Sequence, residues 1–255
     1  MPISFRRPVF AGSTLLAPAL LVCLFTLPAA QAFGQEATPP TALQKQLAKF
    51  DLGVVAIGEI STSDSGIEQR DAHVVSGTST SSTLLNIKPS STVGELATVR
   101  YTLKPYLGFE FNFGNLRYTQ DYTFTTTTTT PGGPTTTTNP TFLVGGIQSG
   151  VRELTLGYVA HLPFHPLGIT PYVGAGGGTI KFTPTPHGGQ GLPYQYRAAY
   201  YYQAGLEDNF PNSPFGVRLG FRQLIYLAPD FLQNYLTITR RTRTSEPTVG
   251  FFVRF

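Results

Sequence analysis

The sequence of 255 residues has little charge, a single cysteine and no tryptophan. Asp, Glu, Lys and Arg make up 13% of the chain, which is about half of the quarter that is usual for a soluble domain. Cys23 lies in an apolar segment near the start, and Val22 precedes it where a lipoprotein needs a small residue. Without Cys23, the chain has no disulfide and no thiolate metal site.

Long apolar runs are also missing after the first 32 residues. A spanning helix needs about 20 continuous apolar residues. A protein of this sequence that lies in a membrane must therefore cross it with strands. The formal net charge of +4 becomes smaller if Arg6 and Arg7 are removed with the start of the chain. A nearly neutral chain is not expected to bind nucleic acid.

The start of the chain predicts export. Arg6 and Arg7 precede the apolar run 15–27, and Ala30-Gln31-Ala32 is a small-x-small cleavage site. These features are typical of a secretory signal peptide. We predict a signal peptide over residues 1–32 that is cleaved near Ala32, a periplasmic lead over residues 33–49 with a short helix in 41–49, and one β-barrel domain over residues 50–255.

The last eight residues show the pattern that we expect throughout this domain. Val249, Phe251, Val253 and Phe255 share one face of an extended segment that ends on an aromatic residue. This alternation is typical of a membrane-facing strand. Clusters of Gly, Pro, Ser, Thr and Asn separate seven similar segments before it. The predicted strands cover residues 50–60, 91–103, 106–124, 147–161, 169–182, 194–207, 216–227 and 246–255.

The connections between these strands alternate in length. Those at 104–105, 161–168 and 209–214 are short, whereas those at 61–90, 125–146, 183–193 and 228–245 are long. Membrane barrels place short turns at the periplasm and long loops outside. We therefore predict an all-β fold, an eight-stranded antiparallel up-and-down transmembrane β-barrel in the bacterial outer membrane. Threonine runs in the second long connection favour strands that extend above the membrane.

The same alternation places charged residues on the face opposite the apolar one. A charge on the lipid face near mid-bilayer costs about 2–4 kcal/mol, so we predict that these charges point into the lumen. The predicted lumen set consists of Asp51, Glu59, Arg100, Glu110, Glu153, Arg197, Glu207, Arg218, Arg222 and Arg254. An equal number of acids and arginines favours a network of ion pairs that plugs the barrel, and not an open pore.

Two further groups are assigned to the membrane surface. One group of tyrosines is expected to form aromatic girdles at headgroup depth: Tyr194, Tyr196, Tyr200, Tyr202 and Tyr235, with Tyr101, Tyr106 and Tyr118. Arg240, Arg241 and Arg243 cluster in the predicted last loop. There they either bind lipopolysaccharide phosphates or remain solvated, and the sequence favours neither alternative.

Three local segments carry a resemblance to a known family. They are Thr170-Pro-Tyr-Val-Gly-Ala-Gly-Gly-Gly178, Gly216-Val-Arg-Leu-Gly-Phe-Arg222 and Phe251-Phe-Val-Arg-Phe255. From about residue 50 to 255, the chain resembles the opacity-type small outer-membrane β-barrel proteins. The resemblance implies that the barrel-assembly machinery reads Phe251, Val253 and Phe255. It also implies a role in adhesion, surface shielding or envelope integrity, and it supplies no catalytic residues.

No motif predicts catalysis. The glycine-rich segment 174–178 lacks the βαβ context of a dinucleotide site. None of the histidines at positions 73, 161, 165 and 187 is followed two residues later by serine, and Gly-x-Ser-x-Gly is absent. We expect a non-enzymatic protein with no cofactor or metal and with membrane lipid and lipopolysaccharide as partners. A lipid A-modifying enzyme with a nonlocal Ser/His/Asp site and a narrow transport channel are the alternatives.

Overall fold

A computed structural model describes residues 41–61, 67–75, 79–130, 132–133, 135–137, 141–142, 146–232, 238 and 241–255. The residues from Leu43 to Phe255 form one compact unit. The predicted signal peptide with Cys23, the lead over residues 33–40, Tyr235 and Arg240 lie outside the described residues. None of the helices in the described part of the chain is long and apolar enough to cross a membrane.

Strands dominate the described part of the chain. The short helix α1 (Ala42–Leu47) lies within the segment where a helix is predicted, and strands follow it. These strands are β1 (Phe50–Ser61), β2 (Ile67–Val75), β3 (Ser79–Pro89), β4 (Thr92–Lys104), β5 (Leu107–Thr129), β6 (Thr136–Thr137), β7 (Thr141–Phe142), β8 (Ile147–His161), β9 (Thr170–Pro184), β10 (Gln195–Asn209), β11 (Phe215–Leu227) and β12 (Arg241–Arg254).

Eight of these strands close into a barrel. β1, β4, β5, β8, β9, β10, β11 and β12 each pair antiparallel with the next in this order. Pairing of β1 with β12, in which Val54 lies opposite Phe251, completes the circle. The predicted eight-stranded antiparallel up-and-down barrel is therefore confirmed. Its eight members correspond to the eight strands predicted from the alternation.

The outer ends of the barrel differ from the prediction. The first long connection was expected to be a loop, but β2 and β3 form a hairpin there. β3 pairs with the outer half of β5 from Thr129 to Gln120, and β6 and β7 add short pairings to β5. β12 begins at Arg241 and not at Glu246, so Arg241 and Arg243 lie in a strand and not in the last loop. Thr-rich segments support these extensions because threonine fits an extended chain.

The barrel is apolar outside and charged inside. On β8, Leu154, Leu156 and Tyr158 are 44%, 56% and 58% exposed, whereas the neighbouring Glu153 and Thr155 are buried. Since a strand turns alternate residues to opposite faces, the exposed residues form the outer surface of the cylinder. A closed barrel with this distribution spans an outer membrane, where the apolar band contacts hydrocarbon.

Candidate functional site in the barrel lumen

Two clusters of buried charge lie inside the barrel. The periplasmic cluster, near the short turns, consists of Asp51, Arg100, Glu110, Glu207 and Arg218, and the outer cluster consists of Glu59, Glu153, Arg222 and Glu246. Every member is less than 5% exposed. The inward faces of seven barrel strands, all except β9, supply them. Only the inward face is shielded from hydrocarbon and can keep ionised groups among partners.

In the periplasmic cluster, two arginines join three acids. Arg100 donates hydrogen bonds from Nε to Glu110 and from Nη1 to Glu207. Arg218 donates from Nε to Glu207 Oε1 at 2.8 Å and from Nη2 to Asp51 Oδ1 at 3.3 Å. Glu207 therefore bonds to arginines of β4 and β11 at once, and the network ties strands across the lumen.

A tyrosine supports these arginines from the side. The Arg100 guanidinium lies 4.5 Å from the ring centre of Tyr172, and that of Arg218 lies 6.0 Å from it. A Cβ atom at Gly205 or Gly220 would lie only 2.5 or 2.8 Å from the Tyr172 hydroxyl. Glycine at these two strand positions leaves the space in which the ring lies beside the charges.

The outer cluster repeats this arrangement with fewer cations. Arg222 donates from Nη1 to Glu153 Oε2 at 3.0 Å and to Glu246 Oε2 at 2.9 Å, and from Nη2 to Glu153. Its guanidinium lies 4.4 Å from the ring centre of Tyr201. A Cβ atom at Gly176 would lie 2.7 Å from that ring. The glycine-rich segment 174–178 is continuous strand within β9, where it makes room for an aromatic ring.

Glu59 has no ion pair among the described residues of this cluster. It is buried at 4% exposure, and its Oε2 atom has no hydrogen-bond partner in the described part of the chain. The outer cluster therefore contains three carboxyl groups and one guanidinium. The equal balance that we predicted does not hold there, because the alternation also turns Glu246 inward and because Arg197 and Arg254 lie at the ends of the lumen.

Apolar side chains fill the lumen around the outer cluster and above it. They come from most strands of the barrel and are buried against one another; they include Ile57, Leu116, Tyr118, Ile147, Val151, Ile180, Phe182, Leu224 and Tyr226. Phe182 contacts both Tyr118 and Tyr226 ring to ring, at 5.9 and 5.8 Å between centres. We call this group the apolar layer.

A short part of the last loop closes the outer end. Residues 228–232, which we call the latch, place Phe231 in the apolar layer at 1% exposure. Asp230 binds Arg197 Nη2 at 2.9 Å and accepts from Gln195 Nε2 at 2.7 Å. Gln195 Oε1 accepts from the backbone N–H groups of Asp230 and Phe231 at 3.0 and 3.1 Å. The predicted lumen residue Arg197 therefore holds the latch.

The charge on Asp230 is maintained by these partners. Burial alone raises the pKa of its carboxyl, but hydrogen bonds from Gln195 and the Leu232 N–H, together with Arg197, hold the pKa below the ordinary value of 3.8. Phe231 and Leu232 adopt left-handed backbone angles, with φ of 49° and 58°. Such angles are uncommon for these residues and are held here by the latch contacts.

The periplasmic end of the lumen is more open. A cavity of about 360 Å³ lies there between the two residues that follow α1, the turns and the strand ends, and its lining includes His161, His165, Glu207 and Arg254. His161 Nε2 lies 3.4 Å from Glu207 Oε2. Arg254 is 40% exposed and lies 3.9 Å from both Asp51 and Glu207, so this predicted lumen residue lies at the rim.

The other predicted site residues lie on the outer surface. Phe251, Val253 and Phe255 belong to the outward face of β12 or follow it, and Phe251 is 65% exposed. Arg241 lies on the same face, with its guanidinium 5.3 Å from the ring centre of Tyr200. The tyrosines of β10 at even positions point outward as expected. Among the described residues, no group of three or more His, Cys, Asp or Glu is arranged to hold a metal ion.

Sequence reasoning missed three parts of the lumen: Glu246, the interior tyrosines and the latch. It also assigned Tyr118 to a girdle, whereas Tyr118 is buried in the apolar layer. Continuing the β12 alternation inward from Arg254 in steps of two would have assigned Glu246 to the lumen. Tyr172 and Tyr201 also share the inward alternation of their strands. No local signal marks Phe231, because its position depends on a loop that folds back into the barrel.

No protein-family model matches the sequence, and no curated protein matches it significantly. The protein is a small outer-membrane β-barrel. This conclusion follows from its own closed sheet, apolar exterior and charged interior.

Solved structures of outer-membrane proteins are similar at low sequence identity. Neisserial surface protein A is 11% identical, with a TM-score of 0.46 over 81% of this chain and 97% of that chain. OprG from Pseudomonas aeruginosa is 14% identical, with a TM-score of 0.40 over 81% and 96%. AlkL, solved in lipid bilayers, is 16% identical, with a TM-score of 0.35 over 87% and 93%.

Proposed function

We propose that the protein is a non-enzymatic, non-conducting barrel that supports the cell envelope and presents its outer strands for adhesion, as the opacity-type resemblance implies. The observation that carries this proposal is the filled lumen. Two networks of buried ion pairs, the apolar layer and the latch together occupy the lumen. An ion would have to displace paired charges and Phe231 to cross, which is energetically costly.

Planar-bilayer recordings of the purified chain test the closed lumen. We expect no conductance steps at neutral pH, because no continuous wet path joins the two ends. The double variant Phe231→Ala with Asp230→Ala, which removes the main latch contacts, serves as the positive control for an open lumen. Lys104→Gln, at the periplasmic end of β4, serves as the surface control. Ion-sized conductance steps of the wild-type chain would contradict the proposal.

The extended outer strands support a role at the cell surface. β5 continues from Gln120 to Thr129 beyond the point where β8 joins it, which is about 30 Å along the strand. β3 covers one edge of this extension. Surface proteolysis and adhesion of cells that express the full chain, compared with cells whose chain lacks residues 62–87, measure this role. Equal adhesion of both strains would contradict a role of the outer strands in adhesion.

The absence of catalysis is tested separately. Lipid A from a deletion strain and from a complemented strain should give the same mass spectrum. A mass shift that depends on the protein would favour the lipid A-modifying alternative.

We also propose that the barrel-assembly machinery recognises Phe251, Val253 and Phe255. This proposal is supported by the apolar stripe that these residues form on the outward face at the end of β12. Phe251→Ser with Phe255→Ser should lower barrel yield in cells while leaving refolding of the pure chain into detergent almost unchanged. A parallel loss in both assays would indicate a stability effect and would contradict recognition.

A gated channel is the second candidate, and the latch is the observation that favours it. The latch closes the outer end through a few polar contacts on Gln195 and Arg197 rather than through a continuous strand. If the protein conducts, Asp230→Asn should increase the open time without changing the conductance of one open barrel.

A further inference from the structure

Three adjacent strands change from apolar to cationic at one height on the outer surface. Going outward on this face, β5 carries Leu107, Phe109, Phe111, Phe113 and Asn115 and then Arg117; β8 carries Tyr158, Leu156 and Leu154 and then Arg152; β9 carries Val173, Ala175, Gly177 and Thr179 and then Lys181, which is half-buried. The cations lie above the apolar band on the side of the long loops. This is the headgroup level of the outer leaflet.

The strand register brings these cations together. Arg152 and Lys181 lie directly opposite each other on β8 and β9. Arg117 lies opposite Gly150, which makes it the diagonal neighbour of Arg152 on the same face. Opposite residues have Cβ atoms about 5 Å apart and diagonal ones about 7–8 Å apart. Like charges in directly opposite positions repel and destabilise a sheet.

No described acid compensates the three cations. Among the described residues, none of Arg117, Arg152 and Lys181 forms an ion pair within 4.0 Å. The nearest acid on this face is Glu95, which lies opposite Asn115 and therefore diagonal to Arg117, but it forms no ion pair with Arg117 within 4.0 Å. Glu95 accepts a bond from Asn115 at 3.4 Å, and Asp121 lies opposite Lys88.

An aromatic platform holds Lys181 beside Arg152. The Lys181 ammonium lies 4.5 Å from the ring centre of Tyr194 and 5.6 Å from that of Tyr196. These contacts restrict the lysine side chain and keep its charge at headgroup level, where tyrosine rings are favoured. Arg241 and Arg243 lie on β12, which β10 and β11 separate from this group.

We propose that Arg117, Arg152 and Lys181 form a binding site for a phosphate group of lipopolysaccharide. A phosphate accepts several charge-assisted hydrogen bonds, and the arginine fork suits it geometrically. Leu154, Leu156 and Phe113 lie directly below on the same face. They contact the acyl chains of the same lipid, so the surface fits a phosphorylated glycolipid and not free phosphate. The site depends on the membrane location and not on whether the lumen conducts.

Binding of lipopolysaccharide to the full chain in neutral detergent tests this site. Arg152→Gln with Lys181→Gln should weaken binding about tenfold or more, because two charge-assisted contacts are lost. Lys45→Gln with Lys104→Gln removes the same charge at the periplasmic end and should leave the affinity unchanged. Dephosphorylated lipopolysaccharide should bind the wild type and the Arg152/Lys181 variant equally.

Stability measurements separate the site from a structural role. In neutral detergent, the Arg152/Lys181 variant should resist unfolding at least as well as the wild type, since repulsion is relieved. With lipopolysaccharide present, the order of stability should reverse, and the wild type should resist unfolding better than the variant.

Inorganic phosphate should displace no more lipid than sodium chloride of equal ionic strength. Equal affinity of variant and wild type, displacement by inorganic phosphate, or a variant less stable in neutral detergent would overturn the proposal. Single Arg152→Gln gives the same readouts if the double variant does not assemble.

Discussion

The two charge clusters of the lumen use the same residue types but differ in how many cations serve the acids. In the periplasmic cluster, Glu207 bonds to both Arg100 and Arg218, and Arg254 lies 3.9 Å away at the rim. In the outer cluster, Arg222 alone bonds to Glu153 and Glu246. The periplasmic cluster therefore has alternative partners for its acids, whereas the outer cluster has one cation among the described residues.

The surroundings of the two clusters increase the difference between them. The periplasmic cluster adjoins the open end of the lumen, where water reaches His161 and Arg254. The outer cluster is enclosed by the apolar layer, and Glu59 there has no ion pair among the described residues. An unpaired charge costs more where water is excluded. We therefore expect the outer cluster to depend on its arginine more than the periplasmic cluster depends on either of its own.

The largest effect is expected for Arg222→Ala. It leaves the carboxylates of Glu153 and Glu246 buried without their arginine, and it should lower the free energy of unfolding by about 3–5 kcal/mol. Urea unfolding in lipid vesicles, read from the heat-modifiable band shift, measures this change. Arg222→Lys is the control. It keeps the positive charge but not the planar guanidinium group, so it should lower the free energy of unfolding by less than Arg222→Ala does. An unchanged unfolding free energy for Arg222→Ala would reject the assignment of this network.

A smaller effect is expected for Arg218→Ala in the periplasmic cluster. Arg100 still bonds to Glu207, so the loss should be about 2–3 kcal/mol, from the contact with Asp51 and the second bond to Glu207. The double variant Arg100→Ala with Arg218→Ala should lose more than the sum of the two single changes, because each arginine compensates for the other. Additive losses would show that the cluster has no such redundancy.

The acids of the outer cluster should respond in opposite directions. Glu59→Gln removes a carboxyl that has no cation of its own, so the unfolding free energy should stay within about 1 kcal/mol of wild type or rise. Glu153→Gln breaks the bonds with Arg222 and should lower it by about 2 kcal/mol. The same urea series compares them. A larger loss for Glu59→Gln than for Glu153→Gln would reverse our account of the cluster.

The smallest effect on barrel stability is expected for the latch. Asp230→Asn should leave urea unfolding nearly unchanged but increase protease cleavage in the last loop, because the ion pair with Arg197 is lost. The Asp230 pKa is lowered, so the folded state favours the ionised form. The latch should therefore hold fully above the ordinary pKa of 3.8 and weaken only as pH falls through the lower folded value. Loss of protection between pH 7 and pH 5 would contradict this.

The sequence supports much of the fold through one physical rule. The two-residue period divides the side chains of a strand between two faces. The cost of placing a charge in hydrocarbon then decides which face points to lipid and which to the lumen. Eight of the ten predicted lumen residues are buried inside the barrel, whereas Arg197 and Arg254 lie at its two ends. Boundaries were less accurate where threonine-rich chain continues as strand above the membrane, because local composition does not show where the bilayer ends.

The alternating pattern alone determined the closed barrel, its eight members and the residues that face lipid, since these depend only on period and polarity. Tertiary structure decided which guanidinium meets which carboxyl, that Glu59 lacks an ion pair, that Phe231 enters the barrel, and that Arg152 opposes Lys181. These contacts join distant parts of the chain or depend on the stagger between strands. That stagger is set when the sheet closes, and no local segment encodes it.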